Sequence, residues 1–224
     1  MTDHEARVRS QYEMWLSSRS PIALYVRWYL RHGGPRYAED LFGAMGSSAI
    51  DRVLDVGCAT GFYLEWAFEH GHGTVRLAGL DLSPLLLEEA AARLEEARRA
   101  GVDVRLVQGS ATALPFPDGT FDALLCNGVA KYLDDEMLGA FLGEAWRVLA
   151  TGGGLAIADF GRTVPVQAAI TSPRRLGIPT EHLRTDRQFC NVLTERGFSS
   201  VRGVPLKRLR RIPLTYEGAV GIKP

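Results

Sequence analysis

From residue 52 onward, short apolar runs alternate with longer stretches in which apolar residues recur every three or four positions. The runs at 53–56, 76–81, 104–108, 121–126 and 155–159 predict five β-strands, and the stretches at 62–70, 85–100, 134–149 and 185–197 predict the helices between them. Boundary residues agree with this pattern. Gly71 closes the first helix. Ser83 caps the second, with Pro84 at its first position and Gly101 just past its end. Leu86, Ala90, Leu94 and Ala97 share one face of that helix, while Glu89 with Arg93 and Glu95 with Arg99 are spaced as i,i+4 pairs. Asp134 caps the third helix, with Asp135 and Glu136 in its first turn. Thr185 and Gln188 form a capping box for the fourth, which stops at Gly197. The run at 121–126 is almost free of polar residues after Asp122, as expected for a strand buried on both faces. Gly152, Gly153 and Gly154 break the chain before the fifth strand. Segments 200–206 and 214–222 predict two more strands, close enough to pair antiparallel.

Strands alternating with helices imply right-handed βαβ units and an α/β fold. The expected core is a doubly wound, seven-stranded, mostly parallel sheet ending in an antiparallel hairpin. Such sheets bind ligands at the carboxyl ends of their strands, where strand order reverses. Residues 1–50 differ in character: they are helical and rich in aromatics (Tyr12, Trp15, Tyr25, Trp28, Tyr29, Tyr37), with Gly33, Gly34 and Pro35 as a break. They read as a helical cap on the ligand edge of the same domain, which occupies 51–224. Segment 161–184, with Pro165, Pro173 and Pro179, is long for a compact domain and reads as a substrate lid.

Composition narrows the classes little further. The 224 residues suit one α/β domain, and 46% hydrophobic with 23% charged residues is ordinary for a globular protein. Lys plus Arg equals Asp plus Glu at 26 each, so no overall field calls for nucleic acid or membrane. The charged start leads into no apolar core segment, so no signal peptide is expected, and the run at 22–30 is short and contains Arg27, so no membrane span is expected. Cys58, Cys126 and Cys190 are scattered and lack metal-ligand spacing; they suit a reducing cytoplasm and no metal is expected.

The chemistry concentrates in "VLDVGCATG", residues 53–61. A dinucleotide fingerprint would place glycines at 57, 59 and 62, where the chain has Gly57, Ala59 and Phe62. No Gly-Lys-Ser/Thr follows, which excludes a Walker-type phosphate loop. Asp55 stands immediately before the turn and would repel a pyrophosphate. Asp81, at the tip of the next strand, is placed to accept hydrogen bonds from ribose hydroxyls. The implied ligand has a ribose, a cationic or amino part and no phosphate; S-adenosylmethionine fits.

With these residues the chain resembles the class I S-adenosylmethionine-dependent methyltransferases, in the small-molecule group similar to quinone and natural-product enzymes. "VLDVGCATG" resembles the family's first motif and "GLDLSP" its second. "VQGSATALPFPDGTFDALLCNGVAKYL" resembles the third and fourth, and "EAWRVLATGGGLAIADF" the helix, glycine turn and fifth strand. The resemblance implies a Rossmann-like fold and assigns roles. The backbone at Gly57, Cys58, Ala59 and Gly61 lines the methionine moiety. Asp55 orients that loop or the ammonium group. Asp81 binds the ribose and Leu82 lies against the adenine. Ser110 and Ala111 meet the adenine edge, and Asn127 sits beside the sulfonium. Tyr12 lies near the cofactor, as N-terminal tyrosines do in similar enzymes. The family often carries an acid where Ser110 stands, so this contact is weaker here.

Methyl transfer from a sulfonium is an in-line displacement that chiefly needs acceptor and methyl held in line; a general base is required only when the acceptor must lose a proton. Acceptor-side candidates are Lys131, with Tyr132 beside it, Asp159 and His182. Against these stand a solvated lysine, a core tyrosine, a loop-capping aspartate and an exposed histidine. His32, beside the Gly33-Gly34 break, is a candidate of the same standing as His182, and His70 and His72 read as partners of a helix C-terminus. Cys58 and Cys126 read as buried packing residues. The basic run 207–211 has only Tyr216 as an aromatic neighbour and reads as a hairpin rim, which makes nucleic acid an unfavoured partner. The expected protein is a cytoplasmic monomer or homodimer that methylates an oxygen, nitrogen or carbon of a small molecule. Two alternatives stay open: an RNA or protein methyltransferase with an open basic surface, and a non-catalytic cofactor-binding protein of the same fold with no room for an acceptor.

Overall fold

A computed structural model describes residues 2–17, 24, 35–46, 50–71, 76–161, 181–204 and 216–224, with the backbone alone at 15, 16, 35, 36 and 216. The expectations placed on the Trp15 side chain, on Tyr25, Trp28, Tyr29, His32 and His72, on most of the 161–184 segment and on the 207–211 run lie outside the described residues.

The described elements are α1 (Asp3–Ser17), α2 (Pro35–Met45), β1 (Arg52–Val56), α3 (Phe62–His70), β2 (Arg76–Asp81), α4 (Pro84–Arg93), α5 (Glu95–Arg99), β3 (Asp103–Gln108), β4 (Phe121–Asn127), a 3-10 turn (Ala130–Tyr132), α6 (Asp135–Val148), β5 (Leu149–Phe160), α7 (Asp186–Arg196), β6 (Ser199–Gly203) and β7 (Tyr216–Ile222). The seven strands form one sheet in the order β3-β2-β1-β4-β5-β7-β6. Strands β1 to β5 pair in parallel; β7 runs antiparallel to both β5 and β6. Strand order therefore reverses between β1 and β4, and the ligand crevice of such a sheet opens at their carboxyl ends.

The period-two alternation of each strand divides the core into two layers. Leu54, Leu124, Leu155 and Ile157 pack with Phe141 and Leu142 of α6 and Phe189 of α7 on one face. Val53, Leu125, Ala156 and Ala158 pack with Leu41 of α2 and Leu64 of α3 on the other. Strand β4 is buried on both faces along most of its length, as its apolar run predicts. Arg52 grips Asp122 with two hydrogen bonds, at 3.0 and 2.6 Å, and so fixes the bases of β1 and β4 against each other below the crevice.

Two sequence boundaries are corrected. The helix expected over 85–100 is two helices, because Leu94 leaves helical geometry (φ −89°, ψ 10°) between Arg93 and Glu95. The fifth strand begins at Leu149, not at Leu155, and takes in the three glycines. Gly152 adopts φ +80°, and the backbone bonds from Gly152 N–H to the Lys223 carbonyl and from Lys223 N–H to the Gly153 carbonyl carry the pairing through the glycines. A glycine run is thus a strand irregularity here, with the partner strand supplying the bonds that the turn reading left unassigned. The capping predictions hold: the Ser83 hydroxyl accepts from Leu86 N–H, the Asp134 carboxylate from Met137 N–H, and Thr185 and Gln188 close their box.

Candidate cofactor and acceptor site

The turn after β1 is shaped by three residues with left-handed backbones: Gly57 (φ 78°), Ala59 (φ 45°) and Gly61 (φ 77°). A side chain on Gly57 would collide with the Val129 methyl, and one on Gly61 would lie 3.1 Å from the Ala90 Cβ of α4. Glycine at both positions is therefore required by conformation and by close approach. The N–H groups of Gly57 and Cys58 both donate to the Leu80 carbonyl (2.7 and 3.0 Å), which ties the turn to β2. Behind it, Arg93 of α4 donates to the Thr60 carbonyl at 2.8 Å and to Glu65 at 2.5 Å.

Asp81 ends β2 and braces the same turn. One carboxylate oxygen accepts Ala59 N–H and the other Ser83 N–H, both at 2.9 Å. Asp55 lies one strand over, in the register Asp55 to Gly79, so both acids point to the same sheet face. Asp55 is 1% exposed and its Oδ2 has no hydrogen-bond partner among the described residues. Burial, and then the charge of Asp81, push the Asp55 carboxyl up to about 8. Burial also raises Asp81, against the pull of its backbone donors.

Asn127, at the end of β4, shares this face through the register Asp55 to Leu125. Its Nδ2 donates to the Tyr63 hydroxyl at 2.8 Å, while its Oδ1 is buried without a hydrogen-bond partner among the described residues. Two acceptor oxygens, from Asp55 and Asn127, are thus left open beside the glycine turn. A buried acceptor without a donor costs about 1–3 kcal/mol, and a ligand bearing N–H groups would recover it. This is the fit expected for the ammonium end of S-adenosylmethionine, with Asp81 available to ribose hydroxyls.

Further along the edge, Leu82 is half-buried and its carbonyl accepts from Gln108 at 3.0 Å. Ala111 packs against the core. The Ser110 hydroxyl is 2.8 Å from the Thr112 hydroxyl and accepts Thr112 N–H at 3.2 Å. Across the crevice, Tyr12 of α1 meets Tyr132 edge-on, with ring centroids 5.9 Å apart, and its hydroxyl accepts from Tyr132 at 3.3 Å. Burial foremost, then Tyr132 and the charges of Asp159 and Asp81, push the Tyr12 phenol well above its ordinary range. Tyr12 therefore stands between the tips of β2 and β5.

Lys131 and Asp159 are brought together. Both are buried, at 3% and 1% exposure. Asp159 accepts Lys131 N–H at 2.8 Å, Phe160 N–H at 2.7 Å and the Lys131 ammonium at 3.3 Å. The ammonium also donates to the Gly128 carbonyl and lies over the rings of Tyr132 and Phe160, 4.6 and 5.1 Å from their centroids. The solvated reading of Lys131 is thereby excluded; the loop-capping reading of Asp159 describes part of what it does. His182 is half-buried, its ring makes no hydrogen bond among the described residues, and it lies near Asp135. It is not joined to the Lys131 and Asp159 pair.

Sequence reasoning passed over three residues. Arg184 is 6% exposed and donates to the carbonyls of Ala130, Leu133 and His182 and to Asp135, pinning the turn that carries Lys131. Nothing in its local pattern signals this. Tyr63 shows only helical periodicity. Glu5, by contrast, sits in a Thr-x-x-Glu capping-box signature at residues 2–5 that was readable. Among the described residues, no cluster of His, Cys, Asp and Glu is arranged to hold a metal ion, and no helix is long and apolar enough to cross a membrane.

Comparison with known proteins agrees with the fold and places the chain in a family. Residues 53–153 match the methyltransferase domain family. The O-methyltransferase resE of Aspergillus sclerotiorum is 30% identical over 203 residues, covering 84% of this chain and 73% of that protein. The chain belongs to the class I S-adenosylmethionine-dependent methyltransferases. The demethylmenaquinone methyltransferase of Thermus thermophilus is 40% identical over 113 residues, 50% of this chain and 48% of that protein. The chain spans about half the length of the demethylmenaquinone methyltransferases it matches. The geranyl diphosphate C-methyltransferase of Streptomyces coelicolor shares the fold of this methyltransferase, with a TM-score of 0.69 at 14% identity, over 100% of this chain and 99% of that one.

Proposed function

We propose that this methyltransferase carries the methyl group of S-adenosylmethionine to an oxygen, nitrogen or carbon of a small molecule. The observation that carries the reading is the pair of open, buried acceptors on Asp55 and Asn127 beside a glycine turn braced by Asp81. When bound, the cofactor supplies an electrophilic methyl on a positively charged sulfur. Asp55 and Asn127 would accept the ammonium protons, and Asp81 would accept the ribose hydroxyls. The N–H groups of Gly57 and Cys58 are committed to Leu80, so the turn is set before any ligand arrives. Tyr12, Tyr132 and the buried Lys131 and Asp159 pair form the wall facing the acceptor. With three hydrogen bonds on its carboxylate, Asp159 serves better as a rigid support than as a free base.

A small-molecule acceptor is supported by the relatives named above, whose names point to a quinone and a prenyl diphosphate. Three free cysteines, two of them buried, support a reducing cytoplasmic setting, and our reading includes a monomer or homodimer. Calorimetric titration tests the cofactor: S-adenosylhomocysteine should bind and NAD should not, and NAD binding alone would overturn the reading. Labelled methyl transfer tests the acceptor. Label entering phenols or quinols supports a small-molecule enzyme, while label entering only RNA or protein would refute it.

A further inference from the structure

The Asn127 backbone is fixed at the end of β4. It pairs with Ala158 of β5, and the next residue, Gly128, donates its N–H to the Ala158 carbonyl at 2.9 Å. Its side chain has more freedom. The terminal torsion of an asparagine has a broad, roughly two-fold profile. The two ends of the amide are alike in size and opposite in hydrogen-bonding sense. The end that faces the crevice is therefore selected by a neighbour. Here the neighbour is Tyr63. Its hydroxyl accepts from Asn127 Nδ2 at 2.8 Å, the one hydrogen bond of this amide among the described residues, and Oδ1 is left buried and open.

Tyr63 is itself held in place. It is the second residue of α3, which starts at Gly61, the glycine that closes the turn. The Glu65 N–H donates to the Gly61 carbonyl at 3.0 Å and ties the first turn of the helix to that glycine. The Tyr63 ring is 8% exposed. It belongs to the core layer of Val53, Leu64 and Leu125 and meets Phe62 edge-on, with ring centroids 5.7 Å apart. A tyrosine so placed gives its apolar body to the core and its hydroxyl to a polar partner. The turn that cradles the cofactor thus also sets the residue that orients Asn127.

We infer that Tyr63 is a positioning residue for the cofactor: its hydroxyl holds the nitrogen end of the Asn127 amide, so that the oxygen end faces the ammonium group. This rests on the cofactor reading above. Without the hydroxyl, the amide is free to turn over and set its own N–H groups against a cation. Tyr63 acts through Asn127 and needs no contact with the ligand. Its influence is confined to the amino group of the cofactor, because the ribose belongs to Asp81 on the other side of β1.

That confinement supplies the test. Wild type, Tyr63→Phe, Asn127→Ala and the double variant are each titrated with S-adenosylhomocysteine and with its deamino analogue, in which hydrogen replaces the amino group. Tyr63→Phe keeps the ring and with it the core packing. Wild type should prefer S-adenosylhomocysteine by about ten- to a hundredfold, the range of hydrogen bonds to a charged group. Asn127→Ala should lower this preference by roughly five- to tenfold, and Tyr63→Phe by most of that amount. The double variant should show the preference of Asn127→Ala alone, because Tyr63 then has no amide to orient. A merely structural role would weaken both compounds equally and leave their ratio unchanged. A wild-type ratio in Tyr63→Phe or in Asn127→Ala, or a double variant that falls below Asn127→Ala, overturns the inference while leaving the cofactor reading intact. Wild type that binds neither compound overturns the cofactor reading itself.

Discussion

Asp55 and Asp81 stand near the carboxyl ends of adjacent parallel strands, on one face of the sheet, and the charge of Asp81 helps push the Asp55 carboxyl up to about 8. The ordinary value for such a carboxyl is 3.8. Between those two values the folded protein holds a proton that the unfolded chain releases. Its stability contribution is therefore full below pH 4 and is lost as pH rises toward 8. Free of cofactor, the protein should melt at progressively lower temperature from pH 5 to pH 8, and Asp55→Asn should flatten that slope. A cation bound at Asp55 favours the ionised form, so cofactor binding near pH 7 should release a proton. Calorimetry in two buffers of different ionisation enthalpy reads this release, and identical heats would refute it.

Asp81 holds the turn through Ala59 N–H and, in the proposed complex, the ribose. Asp81→Ala should weaken S-adenosylhomocysteine binding by about 1–3 kcal/mol. Unchanged affinity would remove Asp81 from the site.

Gly57 combines a positive φ with a space already filled by Val129. Gly57→Ala should destabilise the protein by on the order of 2–4 kcal/mol, the sum of backbone strain and overpacking. Adding Val129→Ala should restore the overpacking part only. Strictly additive losses in urea unfolding would show that the two residues do not compete for that space.

Lys131 and Asp159 lose unequally when separated. Asp159→Ala strands an ammonium and two backbone N–H groups and should cost about 3–5 kcal/mol. Lys131→Met leaves the carboxylate its two backbone donors and should cost less. The opposite order in denaturant unfolding would contradict the bonding described here.

The sheet was legible because burial dictates periodicity: β4 is nearly all apolar, and the helices carry their caps in sequence. The turn at Gly57 and Gly61 and the acids at 55 and 81 were legible because each residue type has a local reason to stand there. The two shifted boundaries were not. Leu94 breaks a helix without glycine or proline, and the glycines at 152–154 join a strand only because Lys223 bonds to them from far along the chain. The partners on the acceptor side were equally hidden. Lys131 and Asp159 are 28 residues apart, and Arg184 looks like any surface arginine until the two distant carbonyls of Ala130 and Leu133 converge on it.

Strand β6 precedes β7 in the chain yet reaches the sheet only through it. During synthesis, residues 199–203 have no strand to pair with until residues 216–222 have emerged and zipped onto β5. A lesion in that inner ribbon would therefore cost the molecule two strands for one.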